Sequence, residues 1–249
     1  MMLGLFNASV RRAYRIVRLL RDLRELEPLD LSSRLARVYI LELSLDVRFW
    51  KYITRQITSA RERAMGDTHL GGWIDWYMGM LIYAIIRLRK PDVVVETGIG
   101  PGATSALILN ALSRNSKGTL YSIDLPGHDA IVYPNLGRPY NLHVPPGYSV
   151  GWMVPEWLKS RWRVIIGDAQ EELPRLVSGL RIGVFLHDSL HTDDHVKFEL
   201  ETVLPSMEPD GLLLADDVNE GWSLAFVHWC NQREHPFIVL RQRLGIALV

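Results

Sequence analysis

The stretch from Val93 to Ser105 constrains the fold of this chain more than any other. A run of β-branched residues ends in the carboxylate Glu96, three glycines follow at alternate positions, and a helix-forming segment comes next. This order predicts a buried strand, a tight turn that lets a ligand approach the backbone, and a helix N-terminus. It therefore indicates a nucleotide-type cofactor site on an α/β sheet.

Strand and helix signals alternate from residue 92 onward, which is typical of a parallel sheet with helices on both faces. We predict strands at Val93–Glu96, Thr119–Asp124, Arg163–Ile166, Ile182–His187, Leu212–Asp216, Phe237–Leu240 and Leu244–Val249. Helices are predicted at Gly102–Arg114, Pro155–Ser160, Glu171–Val177, Thr192–Leu204 and Gly221–Glu234. Only three residues join the last two strands, so those strands must be antiparallel. The prediction is an α/β fold with a seven-stranded, mostly parallel sheet and an antiparallel last strand.

Residues 8 to about 65 carry no strand signals, and residues 1–72 are predicted to form a helical N-terminal extension before a domain that spans 73–249. Helices are expected from residue 8 to about 26, from 31 to about 64, and from 73 to 89, since apolar residues recur at three- and four-residue steps. The first of these helices has a polar side rich in arginine. Two interpretations of this helix are open. It could bind a membrane surface or a partner, or, as we favour, its arginine side is solvated while the helix packs on the domain or on a second subunit.

Composition narrows the classes of function. Lys+Arg and Asp+Glu are both 28 in 249 residues, so no net field favours nucleic acid. A single cysteine, Cys230, precludes an intrachain disulfide and fits a cytoplasmic location. The first residues lack the layout of a signal peptide, and the longest apolar run, 73–88, is shorter than a membrane span.

The segment from Leu125 to Met153 interrupts the alternation with many prolines and glycines. A long loop of this kind inside a compact domain is usually functional or disordered. It follows the second predicted strand, at the edge where α/β sheets bind ligands. A substrate lid and a solvated insertion both fit the composition.

The glycine spacing discriminates between cofactors. Dinucleotide sites use G-x-G-x-x-G, whereas this chain has G-x-G-x-G preceded by Glu96. A carboxylate facing the bound group would repel a pyrophosphate and favour a cofactor with an ammonium group. The loop therefore favours S-adenosylmethionine (SAM) over the nicotinamide cofactor of an NAD-dependent oxidoreductase.

Acidic residues at two further strand ends support this interpretation. Asp124 ends the second strand and can accept both hydroxyls of a ribose. Asp168 follows the third strand, where it and Ala169 could border an adenine. Asp168 has the alternative role of a helix N-cap.

These motifs, over roughly residues 73–249, resemble those of class I SAM-dependent methyltransferases, which have a Rossmann-like fold. The segments 185–192 and 213–218 look like the methyltransferase-24 group, which includes O-methyltransferases acting on sugars and antibiotics and proteins labelled cephalosporin hydroxylase. The resemblance implies methyl transfer to a hydroxyl of a small-molecule acceptor. It implies cofactor contacts from Glu96, Thr97, Gly98, Gly100, Gly102, Thr104, Asp124, Leu125, Asp168, Ala169 and His187.

Three carboxylates are predicted to meet beside the cofactor, because Asp188 follows the fourth strand and Asp216 and Asp217 end the fifth. Such a group needs a proton or a cation, and oxygen ligands suit Mg²⁺. The resemblance implies that these three residues bind Mg²⁺, although the catechol-type pattern has Asp-Asn in place of Asp216-Asp217. Alternatively, one aspartate caps a helix and another binds the cofactor ammonium.

Histidines surround the same acids. His191 is the candidate general base, since an unperturbed histidine titrates near neutral pH. Asp188 is the second candidate catalytic residue. A non-catalytic binding protein recruited through the basic helix, and a homo-oligomer formed through the N-terminal helices, are kept as alternatives.

Overall fold

The computed structural model describes residues 17, 22–63, 75–126, 130–133, 138–141, 144 and 147–249. Their strands are β1 (Val93–Thr97), β2 (Thr119–Asp124), β3 (Ala130–Tyr133), β4 (Arg138–Asn141), β5 (Trp162–Ile166), β6 (Ile182–His187), β7 (Met207–Ala215), β8 (Phe237–Leu240) and β9 (Leu244–Leu248). Seven of them form one sheet in the order β5-β2-β1-β6-β7-β9-β8. Within that sheet β9 pairs antiparallel with β7 and with β8, and the other strand pairs are parallel. The predicted Rossmann-like sheet with an antiparallel last strand is confirmed.

The described helices are α1 (Ser33–Ser44), α2 (Val47–Arg63), α3 (Trp76–Arg89), α4 (Ala103–Asn115), α5 (Ala169–Val177), α6 (Asp193–Val203) and α7 (Ala225–Gln232). Short 3₁₀ helices cover Leu23–Leu29, Glu156–Arg161 and Leu204–Ser206. Among the described helices, none combines the length and the apolar character that crossing a membrane requires.

Two helix predictions need correction. The expected continuous helix over 31–64 is divided into α1 and α2, because a side-chain oxygen of Asp46 accepts the backbone N–H of Phe49 at 3.0 Å and starts a new helix. The helix predicted from residue 73 begins at Trp76, and the Asp75 carboxylate accepts the N–H of Tyr77 at 2.8 Å. Most of the arginine-rich helix predicted from 8 to 26 lies outside the described residues.

Some strand and helix bounds also differ from the prediction. Strand β7 begins five residues earlier than expected, at Met207, and α7 is shorter than the predicted helix over 221–234. Within the proline-rich segment, β3 and β4 form an antiparallel pair where only a loop was expected. The β-branched residues Ile131 and Val132 in β3 are the signal that the composition of the whole segment obscured.

Both faces of the sheet are covered by apolar residues. Strand β1 contributes Val94 to one cluster and Val95 to the other, as the alternation of side chains in a strand requires. Residues of α1, α2, α3 and α4 pack on the first face, and α5, α6 and α7 cover the second. Leu23 and Leu26, from the N-terminal region, are fully buried in the first cluster. The described part of the N-terminal extension therefore shares its core with the sheet.

The turn between β8 and β9 has a strained backbone, and hydrogen bonds hold it at both ends. Arg241 and Gln242 have φ angles of 54° and 52°, a region that side chains other than glycine rarely adopt. Arg241 Nε donates to Asp22 Oδ2 at 2.7 Å, and its guanidinium lies 3.9 Å from the centre of the Tyr77 ring. On the other side, the carbonyl of Arg243 accepts the N–H of Val218 at 2.8 Å. These contacts fix Arg243 beside the end of β7.

Candidate active site

A cavity of about 400 Å³ opens at the carboxyl edge of the parallel strands. The ends of β1, β2, β5, β6 and β7 contribute to it, which is where α/β sheets bind ligands. One half is bordered by the glycine loop, by Asp124 and by residues 167–170; the other is bordered by acids, histidines, Trp222 and Arg243. The predicted site residues that line it are Gly98, Gly100, Asp124, Leu125, Asp168, Ala169, Asp188, His191, Asp216 and Asp217.

The glycine loop owes its shape to close backbone packing. Gly98 has a φ of 85°, and a Cβ there would lie 1.9 Å from the carbonyl oxygen of Asp188. The Asp188 N–H in turn donates to the carbonyl of Thr97 at 2.9 Å. Only glycine fits between these two strand ends without displacing the backbone. The loop after β1 and the segment after β6 are therefore one packed unit.

Asp124 holds the glycine loop from the neighbouring strand. Its Oδ2 accepts the N–H groups of Ile99 at 2.8 Å and Gly100 at 2.7 Å, and its Oδ1 accepts that of Leu125 at 2.8 Å. Burial raises the pKa of Asp124, while these three N–H groups act to lower it. The carboxylate predicted to bind ribose thus also fixes the loop that it faces.

The third strand end completes this half of the cavity. The N–H of Gly167 donates to the carbonyl of Asp124 at 2.9 Å, which brings the end of β5 beside that of β2. Asp168 lines the cavity and also caps α5, since its Oδ1 accepts the N–H of Gln170 at 2.8 Å. Both roles considered for Asp168 are compatible with this position.

Five of the predicted cofactor contacts lie outside the cavity lining: Glu96, Thr97, Gly102, Thr104 and His187. The carboxylate of Glu96 was expected to face the bound group, but it is fully buried and accepts hydrogen bonds from the hydroxyls of Ser105 and Ser122. Burial raises the pKa of Glu96 to about 7. The side chain fastens the first turn of α4 to the sheet, because that turn covers the face toward which Glu96 points.

The three predicted metal ligands lie in the second half of the cavity, together with a cation that the sequence interpretation did not use. Arg243 Nη2 lies 2.8 Å from Asp217 Oδ1 and 3.5 Å from Asp216 Oδ2. Although burial opposes its charge, Asp216 and Asp217 raise the pKa of Arg243. The clustered acids therefore have a cationic partner from within the chain.

The pKa values of the three aspartates are raised even with Arg243 beside them. Burial and the neighbouring Asp217 raise the pKa of Asp216 to about 6. Burial, Asp216 and Asp217 raise the pKa of Asp188 well above its usual range. Asp217 itself adopts a φ of 54°, which turns it toward Arg243 and away from the extended path of β7.

The cluster does not fit the predicted Mg²⁺ site. Among the described residues, no group of three or more His, Cys, Asp or Glu side chains is arranged to hold a metal ion. Magnesium demands near-octahedral oxygen ligands, whereas a guanidinium already bonds one of these carboxylates and lies near a second. Arg243 supplies a countercharge to Asp216 and Asp217 that the sequence interpretation did not include, and a metal bound by Asp188, Asp216 and Asp217 stays a prediction.

His191 lines the same half of the cavity and is almost fully buried. Its ring packs edge-on against His187, with centroids 5.2 Å apart, and lies 5.6 Å from the Trp222 ring. Burial and the neighbouring His187 lower the pKa of His191 to about 3. The imidazole is neutral at physiological pH and is a weaker base than an ordinary histidine.

Behind the cavity wall lies a fully buried carboxylate, Glu199 of α6, with four donors. His187 Nδ1 and His195 Nε2 contact it at 2.7 and 2.9 Å. The hydroxyls of Ser189 and Thr97 donate to it at 2.8 and 2.6 Å. Although burial opposes ionisation, His187 and the other donors lower the pKa of Glu199 below its usual range. This network joins the ends of β1 and β6 to α6.

Sequence reasoning missed several residues of the cavity wall: Ser189, Leu190, Trp222 and Arg243. Arg243 lies in what the sequence presents as a short strand connection, so no local pattern marks it. Glu199 has a local signal, since it lies four residues after His195 on the apolar face of a predicted helix. A buried acid at that spacing indicates a partnered network.

Comparison with known proteins identifies the family to which this domain is similar. Residues 95–218 match the model of the methyltransferase-24 family, described as a methyltransferase domain. The chain is a class I SAM-dependent methyltransferase. The match covers the glycine loop and the strand ends that carry Asp124, Asp168, Asp188 and Asp216. The match therefore favours neither of the two alternative hypotheses, an NAD-dependent oxidoreductase or a non-catalytic binding protein. A comparison with curated proteins found no match to this methyltransferase.

Solved structures agree on the fold of the methyltransferase. The O-methyltransferase TomG of Streptomyces achromogenes, involved in tomaymycin synthesis and solved with SAM, has a TM-score of 0.58 at 16% identity over 87% of this chain and 97% of that one. The O-methyltransferase of Bacillus cereus in complex with S-adenosylhomocysteine (SAH) has a TM-score of 0.55 at 12% identity, covering 80% and 90%. An SAH-bound methyltransferase of Podospora anserina gives 0.55 at 13% identity, covering 79% and 86%.

Proposed function

We propose that the methyltransferase transfers a methyl group from SAM to a hydroxyl of a small molecule, without a metal in the acceptor site. The observation that carries this proposal is a single cavity with two chemically distinct halves. One half is built from the glycine loop and the ends of β2 and β5. The other contains Asp188, His191 and the pair formed by Arg243 and Asp217. Such a cavity can place a donor beside an acceptor and a proton-accepting group.

The first half fits the cofactor. The glycine loop presents backbone with no side chain, Asp124 lies at the position suited to ribose hydroxyls, and Asp168 with Ala169 borders the space for an adenine. SAM supplies an activated methyl group on a good leaving group. Asp124 needs no conformational change to hold the loop, because its three backbone hydrogen bonds are already made. We assign cofactor binding to Gly98, Gly100, Asp124, Leu125, Asp168 and Ala169.

The second half fits a hydroxyl acceptor. Asp188 lies where the two halves meet: its carbonyl packs on Gly98, and its side chain lines the cavity within electrostatic reach of Asp216 and Asp217. Its carboxylate is placed to take the hydroxyl proton as the oxygen attacks the methyl group. His191 and Trp222 form the aromatic wall against which the acceptor packs, and Arg243 orients acceptor oxygens. Two structural neighbours are named O-methyltransferases, and one of them is involved in tomaymycin synthesis, which supports a hydroxyl on a natural product as the acceptor.

Replacement of Asp188 by Asn tests this division of roles. We expect Asp188→Asn to lower kcat by about 100-fold or more, because general-base catalysis contributes on the order of 10²–10⁴. His191→Gln should lower kcat by less than about tenfold, since a buried imidazole of low basicity contributes shape rather than proton transfer. The measurement is transfer of a labelled methyl group from SAM to a panel of sugars, phenols and glycosylated compounds.

Two results would contradict the proposal. A larger loss in the His191→Gln protein than in the Asp188→Asn protein would assign the base to His191 instead of Asp188. Failure of every hydroxyl acceptor in this panel, with transfer to amines or carbon acids assayed alongside it, would overturn O-methylation. SAH affinity, measured by calorimetry, is the control, and both variants should retain it within about threefold, because the residues proposed to bind the cofactor are unchanged in both.

Metal removal gives a separate prediction. Activity in EDTA should equal activity with added Mg²⁺ within about twofold, because Arg243 provides the charge that a metal would otherwise supply. The assay is the same labelled-methyl transfer after dialysis against chelator. Loss of activity in EDTA that is restored by Mg²⁺ would show that a cation displaces Arg243 from the aspartates during turnover.

A further inference from the structure

A cluster of charged and aromatic side chains joins the N-terminal region to the turn between β8 and β9. Asp22 Oδ2 accepts hydrogen bonds from the Tyr77 hydroxyl at 2.5 Å and from Arg241 Nε and Nη2 at 2.7 and 2.5 Å. The Arg241 guanidinium also lies 3.9 Å from the centre of the Tyr77 ring. Asp22, Tyr77 and Arg241 are called the Asp22 clamp below. The clamp connects two residues that are 219 positions apart in the chain.

The Asp22 clamp is largely buried. Asp22 is 7% exposed, and the side chain of Arg241 is 26% exposed. Hydrogen bonds between ionised groups are shorter and stronger than neutral ones, and a guanidinium that offers two N–H groups fixes its partner in direction as well as in distance. The clamp lies outside the cavity lining that the described residues form. Any effect of the clamp on the active site must therefore pass through another residue.

The turn that the clamp holds has an unfavourable backbone. Arg241 and Gln242 have φ angles of 54° and 52°. Residues in this region of backbone space persist where the surrounding structure fixes them. The hydrogen bonds to Asp22 and the contact with Tyr77, in the first turn of α3, supply that constraint for Arg241. Without the clamp, the turn could relax toward a less strained backbone.

Arg243 follows two residues after Arg241 and links the turn to the cavity. It lines the acceptor half, which is the part of the cavity bordered by Asp188, His191 and Arg243, and its Nη2 lies 2.8 Å from Asp217 Oδ1. Its Nε is buried and, among the described residues, has no hydrogen-bond partner. Because the ion pairs of Arg243 are made by Nη2, the backbone of the turn determines where its other N–H groups point.

We propose that Asp22 is a positioning residue for the methyl acceptor, since through Arg241 it holds the turn that places Arg243 in the acceptor half. This inference rests on the proposed role of Arg243 in orienting acceptor oxygens. The N-terminal region thus contributes to acceptor binding, although it precedes residues 95–218, which match the family model. The three backbone hydrogen bonds of Asp124 that shape the cofactor half do not involve the clamp. Cofactor binding should therefore be independent of the clamp.

A purely structural role for the clamp is the alternative. It would stabilise the fold without determining where Arg243 lies. The chain offers a matched pair for comparison, because Asp46 Oδ2 lies 2.9 Å from Arg114 Nη2 and the Asp46 side chain is 12% exposed. Neither of these two residues lines the cavity. Asp46→Asn therefore makes the same chemical change as Asp22→Asn, in a similarly buried aspartate that shares no contact with the turn.

Nuclear magnetic resonance of the full chain with ¹⁵N-labelled arginine observes the Nε–H group of Arg243 without any acceptor. The signal is assigned by its loss in the Arg243→Lys protein. We expect Asp22→Asn to shift this signal by more than its linewidth, because the turn that carries Arg243 is no longer held. Tyr77→Phe removes one donor and keeps the ring, so it should cause a smaller shift, and it tests the proposal if the Asp22→Asn protein does not fold. Asp46→Asn should leave the signal in place.

Kinetics of methyl transfer measure the consequence for the acceptor. Asp22→Asn should raise the acceptor KM by about tenfold and change kcat and SAH affinity by less than about threefold, since it weakens acceptor binding rather than the reaction. In the Arg243→Ala background, Asp22→Asn should change the acceptor KM by less than about twofold, because residues that act through one contact are not additive. Asp46→Asn should leave the acceptor KM within about twofold of the parent value.

Three results would overturn the proposal. The first is an Arg243 signal that neither Asp22→Asn nor Tyr77→Phe shifts. The second is an equal shift in the Asp46→Asn protein, because the effect would then be a general loss of stability. The third is a rise in KM that Asp22→Asn causes equally with Arg243 and without it, since Asp22 would then act by another route. Failure of methyl transfer to every hydroxyl acceptor, with the Arg243 signal shifted as expected, would instead contradict the proposed function and support the placement of Arg243 by the clamp.

Discussion

Substitution of Gly98 by Ala should lower the affinity of the methyltransferase for SAH by about 100-fold or more. An added Cβ would lie 1.9 Å from the carbonyl oxygen of Asp188 and 2.5 Å from its carbon, so the backbone must move. The φ of 85° adds strain of roughly 1–2 kcal/mol for any residue with a Cβ. Displacement of Gly98 also pulls Ile99 and Gly100 away from Asp124, which breaks the floor of the cofactor half. Calorimetry with SAH measures the loss.

Gly179→Ala is the matched control for this change. No atom lies within 4 Å of a Cβ at Gly179, and the residue follows α5 on the surface. We expect its SAH affinity and melting temperature to equal those of the parent protein. A Gly98→Ala protein that melts cooperatively and binds SAH as tightly as the parent would show that the loop can shift without consequence, and would remove the glycine loop from the proposed cofactor site.

Substitution of Glu199 by Gln should destabilise the protein by roughly 3 kcal/mol at pH 7. A buried donor that loses its hydrogen-bond partner costs on the order of 1–3 kcal/mol, and Gln keeps one acceptor oxygen for the four donors. Its amide group would also face donors where the carboxylate accepts. For a chain of this size the melting temperature should fall by about 10 °C. Thermal unfolding followed by circular dichroism measures the change.

The pH dependence of this effect has a definite sign. The folded protein holds the pKa of Glu199 below its usual range, so the stabilisation by its carboxylate is complete above the pKa of the unfolded chain. It is lost as the pH falls toward the lower folded value. The difference in unfolding free energy between the parent and the Glu199→Gln protein should therefore be largest near neutral pH and shrink below about pH 4.

Glu201→Gln provides the control on the same helix. Glu201 is 38% exposed and pairs with Arg233 at the surface, where such a pair contributes about 0–1 kcal/mol. Its loss should change the melting temperature by no more than about 3 °C. If the Glu199 and Glu201 variants were equally stable, the four donors around Glu199 would have found other partners, and the network would not hold the cavity wall.

Much of the fold could be predicted because its determinants are local. The apolar run of β1 and the three-residue link before β9 establish the parallel sheet and its one antiparallel strand. Strand ends in such a sheet meet at one edge, so Asp124, Asp168 and Asp188 could be assigned to one cavity without coordinates. The lid function considered for residues 125–153 stays a prediction, since much of that segment lies outside the described residues.

Two kinds of feature could not be predicted: the direction in which a side chain points, and contacts between residues that are far apart in the sequence. Glu96 is adjacent to the glycine loop in sequence, yet the pleat of β1 turns its carboxylate toward Ser105 and Ser122. The Mg²⁺ prediction followed from the need for a cation but did not include Arg243, which lies between β8 and β9 and pairs with Asp217. Nothing in the sequence near Asp216 marks a partner 27 residues later.

The strained turn before β9 has a consequence for when the cavity forms. Arg241 is held by Asp22, 219 positions earlier in the chain, and Arg243 reaches the aspartates only once that turn is closed. During synthesis the glycine loop emerges long before the turn does. A nascent chain can therefore complete the cofactor half of the cavity first, while Asp216 and Asp217 have no countercharge. The acceptor half is complete only when these two distant segments are joined.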